Sequence, residues 1–332
     1  MKMTAKEITR ACGGRLLCGD PDTVVTSVST DSRKIDSGTL FVPIKGERTD
    51  AHTFIDATFA AGASATLTQE HDQMDDKHAW IRVQSTEQAL QQIAAVYRRK
   101  FSIPFIGITG SVGKTTTKEM VALALSAGRN VMKTEGNFNS QIGLPLTMFT
   151  LQKSHQAAVI EMGMSNFGEM SRLAQIAAPD YAVVTNIGIS HIEQLKTQQN
   201  IMNEKLHITD CFHKDSVLFL NGDDEMLRSA AGKTSFFPSF AIRRNGKRYG
   251  LAPSHGAIFG LKTYGRRRRP PGLPWLLRKV RMRCSFPPWA CTMLQMRWQV
   301  WLLRKRLACR LKKRLPSWRS IVRLPCGSRF TG

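Results

Sequence analysis

The chain has 332 residues and a formal net charge of +23, yet the charge is unevenly placed: Lys and Arg divide 24 and 24 between residues 1–240 and 241–332, whereas all 25 Asp and Glu lie in the first segment. Seven cysteines without a C-x-x-C pair, and a start, MKMTAKEITRACGG, without an apolar signal core, argue against a disulfide framework and against export. No apolar run approaches the roughly 18 residues that a membrane span requires, and the length accommodates two or three domains.

Residues 1–98 alternate short β-rich runs, TVVTSVS and TLFVPI, with helix-like stretches. They close on TEQALQQIAAVYRRK, where Leu90, Ile93, Ala94 and Tyr97 recur at helical spacing. The pattern predicts a small α/β domain. From residue 99 the order becomes strand, glycine loop, helix: PFIGIT, GSVGKT, then TTKEMVALALSAG with Gly128 as its stop. Further strands are expected at AAVIEMG, YAVVTNIG and SVLFLNG. Strands separated by helical segments predict right-handed βαβ units, hence an α/β fold whose second domain, 99–236, is a mainly parallel sheet. Ligands of such sheets sit beyond the carboxyl ends of the strands, where Glu161, Asn186 and His191 fall.

The stretch GITGSVGKTTTKEM, 107–120, carries the clearest chemistry. A phosphate-binding loop needs glycines so that backbone N–H groups converge on oxygens, a lysine as mobile charge, and a hydroxyl for a metal. Gly110, Ser111, Val112, Gly113, Lys114, Thr115 and Thr116 supply these parts, so ATP with Mg2+ is the expected ligand. The full G-x-x-x-x-G-K-[ST] pattern would put glycine at 108, where this chain has Ile108; only the shorter G-x-x-G-K-T form is present. Glu161 follows the apolar run AAVI at a strand end, so it is either a surface loop acid or a paired, functional carboxylate.

The shortened loop resembles that of the Mur ligases. TEGNFNSQIGLPLT (134–147), IEMGMSNFGEM (160–170) and TNIGISHIEQL (185–195) resemble the members that add D-Ala-D-Ala to a UDP-N-acetylmuramoyl-tripeptide. TDSRKIDSGTLFVPIKGERTDAHTFI (30–55) is similar to their uridine-nucleotide-binding domain and NGDDEML (221–227) to the loop near adenine, so that the likeness covers roughly residues 5–236. It implies a cytoplasmic, monomeric, ATP-driven amide ligase of peptidoglycan precursor synthesis acting through an acyl phosphate, with UDP-N-acetylmuramoyl-tripeptide and D-Ala-D-Ala as substrates and no nucleic-acid partner. It also implies that Lys114 holds the β- and γ-phosphates, Thr115 and Glu161 hold one Mg2+, and His191 approaches a second metal. Asn221 would lie near adenine, Ser32, Arg33, Asn137 and Asn139 would face the UDP-linked substrate, and Lys205 matches a lysine carbamylated by CO2. Around Lys205 the family has alanine before and an acid two residues after, whereas this chain has Glu204 and His207; an ordinary exposed helix lysine is the other reading there, as a structural histidine is for His191.

Residues 241–332 hold the run Arg266 to Arg269, five of the six tryptophans and no acid. One reading is an authentic basic arm, making the chain a nucleic-acid-binding P-loop NTPase. The other is translation out of frame. The codons permitted for 291–318, read two bases onward, allow His-Asn-Ala-Thr-Asn-Ala-Leu-Ala, which resembles a segment of the Mur ligase central domain. On that reading the frame changes between about residues 230 and 245. The central domain is then truncated, the C-terminal ligase domain is missing, and this polypeptide is expected to have weak or no ligase activity, or to be a silent ATP-binding remnant.

Overall fold

The computed structural model describes residues 1–47, 49–70, 75 and 77–231, with the backbone of three further strands between 241 and 261. The chain divides into two compact units, Met1–Arg269 and Pro270–Gly332, and every described residue belongs to the first. The arginine run and residues 291–318, whose codons allow the alternative reading, lie outside the described residues.

The first part of the chain comprises β1 (Met3–Thr4), α1 (Ala5–Ala11), β2 (Arg15–Cys18), β3 (Val24–Val25), β4 (Ser27–Ser29), β5 (Thr39–Phe41), α2 (Ile55–Ala60), β6 (Ala63–Thr68), β7 (Ala79–Arg82) and α3 (Thr86–Arg98), with β1 and β3 forming a two-stranded sheet apart from the five-stranded first sheet. The order of the first sheet is β2-β7-β6-β5-β4, parallel except for β2. The expected single strand TVVTSVS breaks at Thr26, whose N–H turns aside to the Gly38 carbonyl; β3 pairs instead with β1, and β4 with β5. Helix α1 starts where Thr4 and Glu7 cap each other's backbone N–H groups, meeting two donors that a helix start leaves open.

The second sheet follows: β8 (Phe105–Thr109), α4 (Lys114–Ser126), β9 (Val131–Lys133), α5 (Gly143–Phe149), β10 (Ala157–Glu161), α6 (Glu169–Ala177), β11 (Tyr181–Val184), α7 (Ile192–Leu195), α8 (Gln198–Leu206), β12 (Val217–Asn221), α9 (Glu225–Ala231), β13 (Ala241–Arg244), β14 (Lys247–Arg248) and β15 (Ala257–Leu261). The order is β14-β13-β15-β12-β11-β8-β10-β9, with β14 alone antiparallel. Strands β8 and β10 are buried on both faces, as the unbroken apolar runs FIGI and AAVI require of a parallel sheet covered by helices. The sheet continues past β12 into the basic segment: β15 pairs with it from Val217↔Ala257 to Asn221↔Leu261, satisfying the outer edge of β12.

Helix α3 joins the two sheets. Its predicted apolar face, Leu90, Ile93, Ala94 and Tyr97, is buried in a core cluster shared with Leu144, Met148, Leu173 and Ala177 of α5 and α6. Each large aliphatic side chain so buried contributes about 1.5–3 kcal/mol. The Tyr97 hydroxyl donates to the Leu151 carbonyl at 2.9 Å. Arg98 lies 3.9 Å over the Phe105 ring and donates to the carbonyls of Ala177 and Ala178 at 2.7 and 2.8 Å, meeting acceptors that the end of α6 leaves open. Among the described residues no helix is long and apolar enough to cross a membrane.

Candidate active site

Strand β8 ends at Thr109, and the chain turns at Gly110 with φ +148°. A Cβ there would fall on the Thr185 hydroxyl, so only glycine fits. Beyond it the loop is held by the segment that follows β11. Ser111 N–H donates to the Asn186 carbonyl (3.1 Å), Val112 N–H to Asn186 Oδ1 (2.9 Å) and Gly188 N–H to Ser111 Oγ (2.8 Å), while Thr185 Oγ1 donates to the Val112 carbonyl at 2.6 Å. Gly113, at φ +82°, opens α4, and a Cβ there would meet nothing within 4 Å. The first N–H groups of α4 carry no side-chain cap, and Thr115 and Thr116 are exposed beside them; this is the geometry in which a helix start receives an anion. Lys114 Nζ donates back to the Gly110 carbonyl at 2.9 Å. Ile108, where the longer motif has glycine, is a fully buried β8 residue paired with Glu161 and Val183, so the turn begins two residues later.

Glu161 is the last residue of β10 and only 2% exposed, which removes the reading as a surface acid. Its Oε1 accepts from Asn139 Nδ2 at 2.9 Å, and its N–H donates to Thr134 Oγ1 at 3.0 Å. Oε2 has no hydrogen-bond partner and lies 3.8 Å from Lys118 Nζ. Among the described residues, Thr109 Oγ1 is the other buried side-chain oxygen left without one, at the end of the adjacent strand. A buried carboxylate oxygen with no donor fits a hard divalent cation, the ligand that such an oxygen otherwise lacks. No group of three or more His, Cys, Asp or Glu clusters among the described residues, so a cation here would draw further oxygens from Thr115 and from phosphate rather than from an all-protein cage.

Lys205, on α8, is 2% exposed, not the ordinary surface lysine its sequence context allowed. Burial first, and then the positive charge of Lys114, lower its pKa to about 8. His191 begins α7 with φ +64° and is exposed; partial burial, then Lys205 and Lys114, lower its pKa against the opposing pull of Glu169. Lys114, His191 and Lys205 therefore share one positive neighbourhood. Glu204, the departure beside Lys205, accepts from Gly168 N–H (3.0 Å) and Met170 N–H (2.9 Å), closing the start of α6. His207 is exposed and bonded to Asp210 at 3.1 Å.

The other expected site residues are more scattered. Asn139 spends its amide on Glu161, and Asn137 is exposed on the same loop. Asn221 closes β12, its Oδ1 accepting from Asp223 N–H, while Asp224 accepts from Ile187 N–H at 2.8 Å and ties that loop to the one after β11. Ser32 and Arg33 belong to the first sheet, in the loop after β4, where Arg33 grips Asp31 through two bonds of 2.9 and 3.0 Å and holds that carboxyl down at about 2. Sequence reasoning missed Lys118. Its readable signal is position: with Ala122 and Leu125 it falls on the buried face of α4, where a lysine is out of place.

Two family descriptions match the chain: "Mur ligase family, catalytic domain" over residues 24–98 and "Mur ligase middle domain" over 108–249. The UDP-N-acetylmuramoyl-tripeptide--D-alanyl-D-alanine ligase of Bacillus subtilis is 42% identical over 232 residues, covering 69% of this chain and 51% of the relative. That of Escherichia coli is 33% identical over 224 residues, 68% and 49% of the two. Among solved structures, MurF from Acinetobacter baumannii superposes with a TM-score of 0.65 at 32% identity over 70% of this chain and 52% of that one. MurF from Thermotoga maritima in complex with ADP gives 0.58 at 35% over 62% and 48%. The chain spans about half the length of the relatives it matches.

Proposed function

Since the chain belongs to the Mur ligase family, we propose that it serves the cytoplasmic, ATP-dependent joining of D-Ala-D-Ala to UDP-N-acetylmuramoyl-tripeptide, with ATP at the loop after β8 and the UDP-linked substrate on the first sheet. The observation that carries this reading is the uncapped start of α4 set beside a buried carboxylate oxygen that has no donor. In the reaction, the tripeptide carboxylate attacks the γ-phosphorus and ADP leaves; the D-Ala-D-Ala amine then attacks the acyl carbon and phosphate leaves. The transferred group spreads its charge over three oxygens, so the protein's part is alignment and charge neutralisation. The loop N–H groups and Lys114 would hold phosphate, Thr115 and Glu161 are the residues that would hold Mg2+, and His191 would serve a second cation. Bound there, Mg2+ supplies charge neutralisation of the phosphates.

Lys205 is suited to take up CO2. With its pKa at about 8, roughly a tenth of its amines are neutral at pH 7, against less than one in a thousand at the ordinary value. The neutral nitrogen bonds to the carbon of CO2 and releases a proton, leaving a carboxylate where a cation stood. The nucleic-acid-binding alternative draws only on the basic tail, whose arginine run lies outside the described residues.

The test is calorimetric titration of the full chain with a non-hydrolysable ATP analogue plus Mg2+, and separately with UDP-N-acetylmuramoyl-tripeptide. Both are expected to bind, and Lys114→Met is expected to lose the first and keep the second. Absence of either binding by the unaltered chain would sink the proposal. Phosphate release with all substrates present then reports how much of the complete reaction this polypeptide performs, expected to be little.

A further inference from the structure

Lys118 lies one turn beyond Lys114 on α4 and is 1% exposed. An ammonium taken out of water is costly unless paired and hydrogen-bonded, so its surroundings should account for it. They do so from three elements at once. Nζ donates to the Thr134 carbonyl after β9 at 2.6 Å, lies 3.3 Å from Glu119 Oε1 on its own helix, and stands 3.8 Å from Glu161 Oε2 at the end of β10. Glu119 is shared with Lys133 at 2.6 Å, so it is not committed to Lys118 alone. Thr134 holds both partners: its carbonyl receives Lys118 and its hydroxyl receives the Glu161 N–H.

The 3.8 Å separation decides the role. It is too long for a hydrogen bond, so Lys118 lends charge to Glu161 without occupying the acceptor sites of Oε2. A closer lysine would compete with a cation for that oxygen; none at all would leave an unbalanced buried carboxylate. We propose that Lys118 is a positioning residue for Glu161, holding the buried carboxylate in place beside a fixed positive charge while leaving Oε2 open to a divalent cation. The inference rests on the Mg2+-ATP reading of the site and adds a residue that the phosphate loop itself does not require.

The experiment uses the full chain and two variants, Lys118→Met, which keeps the shape, and Lys118→Gln, which keeps a donor for Thr134 while removing the charge. Binding of a fluorescent ATP analogue is followed as Mg2+ is varied, and again in EDTA. The Mg2+ concentration for half-maximal effect is expected to rise by about tenfold or more, as for lost outer-shell partners of metal ligands, with affinity in EDTA nearly unchanged. A purely structural lysine would move both or neither. Thermal midpoints of Lys118→Met, Glu161→Gln and the double variant supply a second readout, and the double variant is expected to be at least as stable as Lys118→Met alone. An unchanged Mg2+ midpoint in both lysine variants, or strictly additive thermal shifts, overturns the proposal. If the unaltered chain binds no nucleotide, the site reading and the cation half of the proposal fail together, and coupled midpoints then leave only an ion pair.

Discussion

The two sheets treat charge at their carboxyl edges in opposite ways. At the first, ionic groups stand in water and answer one another: Arg33 with Asp31 at 2.9 Å, Lys45 with Glu70 at 2.6 Å and with Asp50 at 3.8 Å, all on side chains from about a quarter to nearly nine-tenths exposed. At the second, Lys118, Glu161, Glu204 and Lys205 are each 3% exposed or less. Exposed pairs are worth about 0–1 kcal/mol and serve to order loops. Buried charges cost several kcal/mol unless met, so a domain that keeps four of them is a candidate for where the chemistry lies. Burial alone is not the signal. His52, on the first edge, is as buried as Glu161, but its Nδ1 bonds Asp50 at 2.6 Å and its Nε2 accepts from Gln69 N–H at 3.2 Å, so it is satisfied on both sides and braces a loop.

This contrast can be broken or sharpened by substitution. The largest effect is expected for Lys114→Met, which should weaken ATP-analogue binding by about 2–5 kcal/mol, as for other truncated charge pairs, while titration with the UDP-linked substrate stays unmoved. Glu204→Ala leaves the Gly168 and Met170 donors unmet at about 1–3 kcal/mol each, visible as a lower urea midpoint; a loss under 1 kcal/mol would show that water replaces the carboxylate. A third test is pH. The folded-state pKa of Lys205, about 8, lies below its ordinary 10.5, so below pH 8 both folded and unfolded chains carry the proton. Between these values the unfolded chain alone retains it, so this group's contribution to stability should rise with pH across that window. Comparing denaturation across the window with Lys205→Met isolates the rise, which the variant should lack. Smallest is Arg33→Ala, expected to change stability by less than about 1 kcal/mol; a larger loss would place the first edge in the same class as the second.

The parts of this molecule that follow simple periodicity were readable from its residues. The face of α3 and the strands β8, β10, β11 and β12 fall where spacing and apolar runs place them, because an element buried on a known face must repeat its apolar residues at that element's period. The glycine turn after β8 was readable because glycine geometry is local; Gly110 is required by its own φ and by one neighbour. The rest depends on partners distant in sequence. That Asn139 serves Glu161, that Glu204 closes α6 from α8, and that Lys118 reaches β10 are facts of three-dimensional proximity, and polar residues carry no period that would announce them. The backbone of β15 on the edge of β12 belongs to the same kind, since pairing between residues 40 apart leaves no local mark.

Helix α3 has a consequence for how the protein is made. As the chain leaves the ribosome, α3 is complete at Arg98, whereas α5 and α6 end at Phe149 and Ala177. The stripe of Leu90, Ile93, Ala94 and Tyr97 must therefore wait for its cover through some tens of residues of further synthesis, a period in which a holding chaperone has an obvious target. For the same reason, exchange of the first sheet alone between relatives succeeds only when the recipient's α5 and α6 surfaces match the incoming helix, so recombination should favour breakpoints elsewhere than the junction at residue 98.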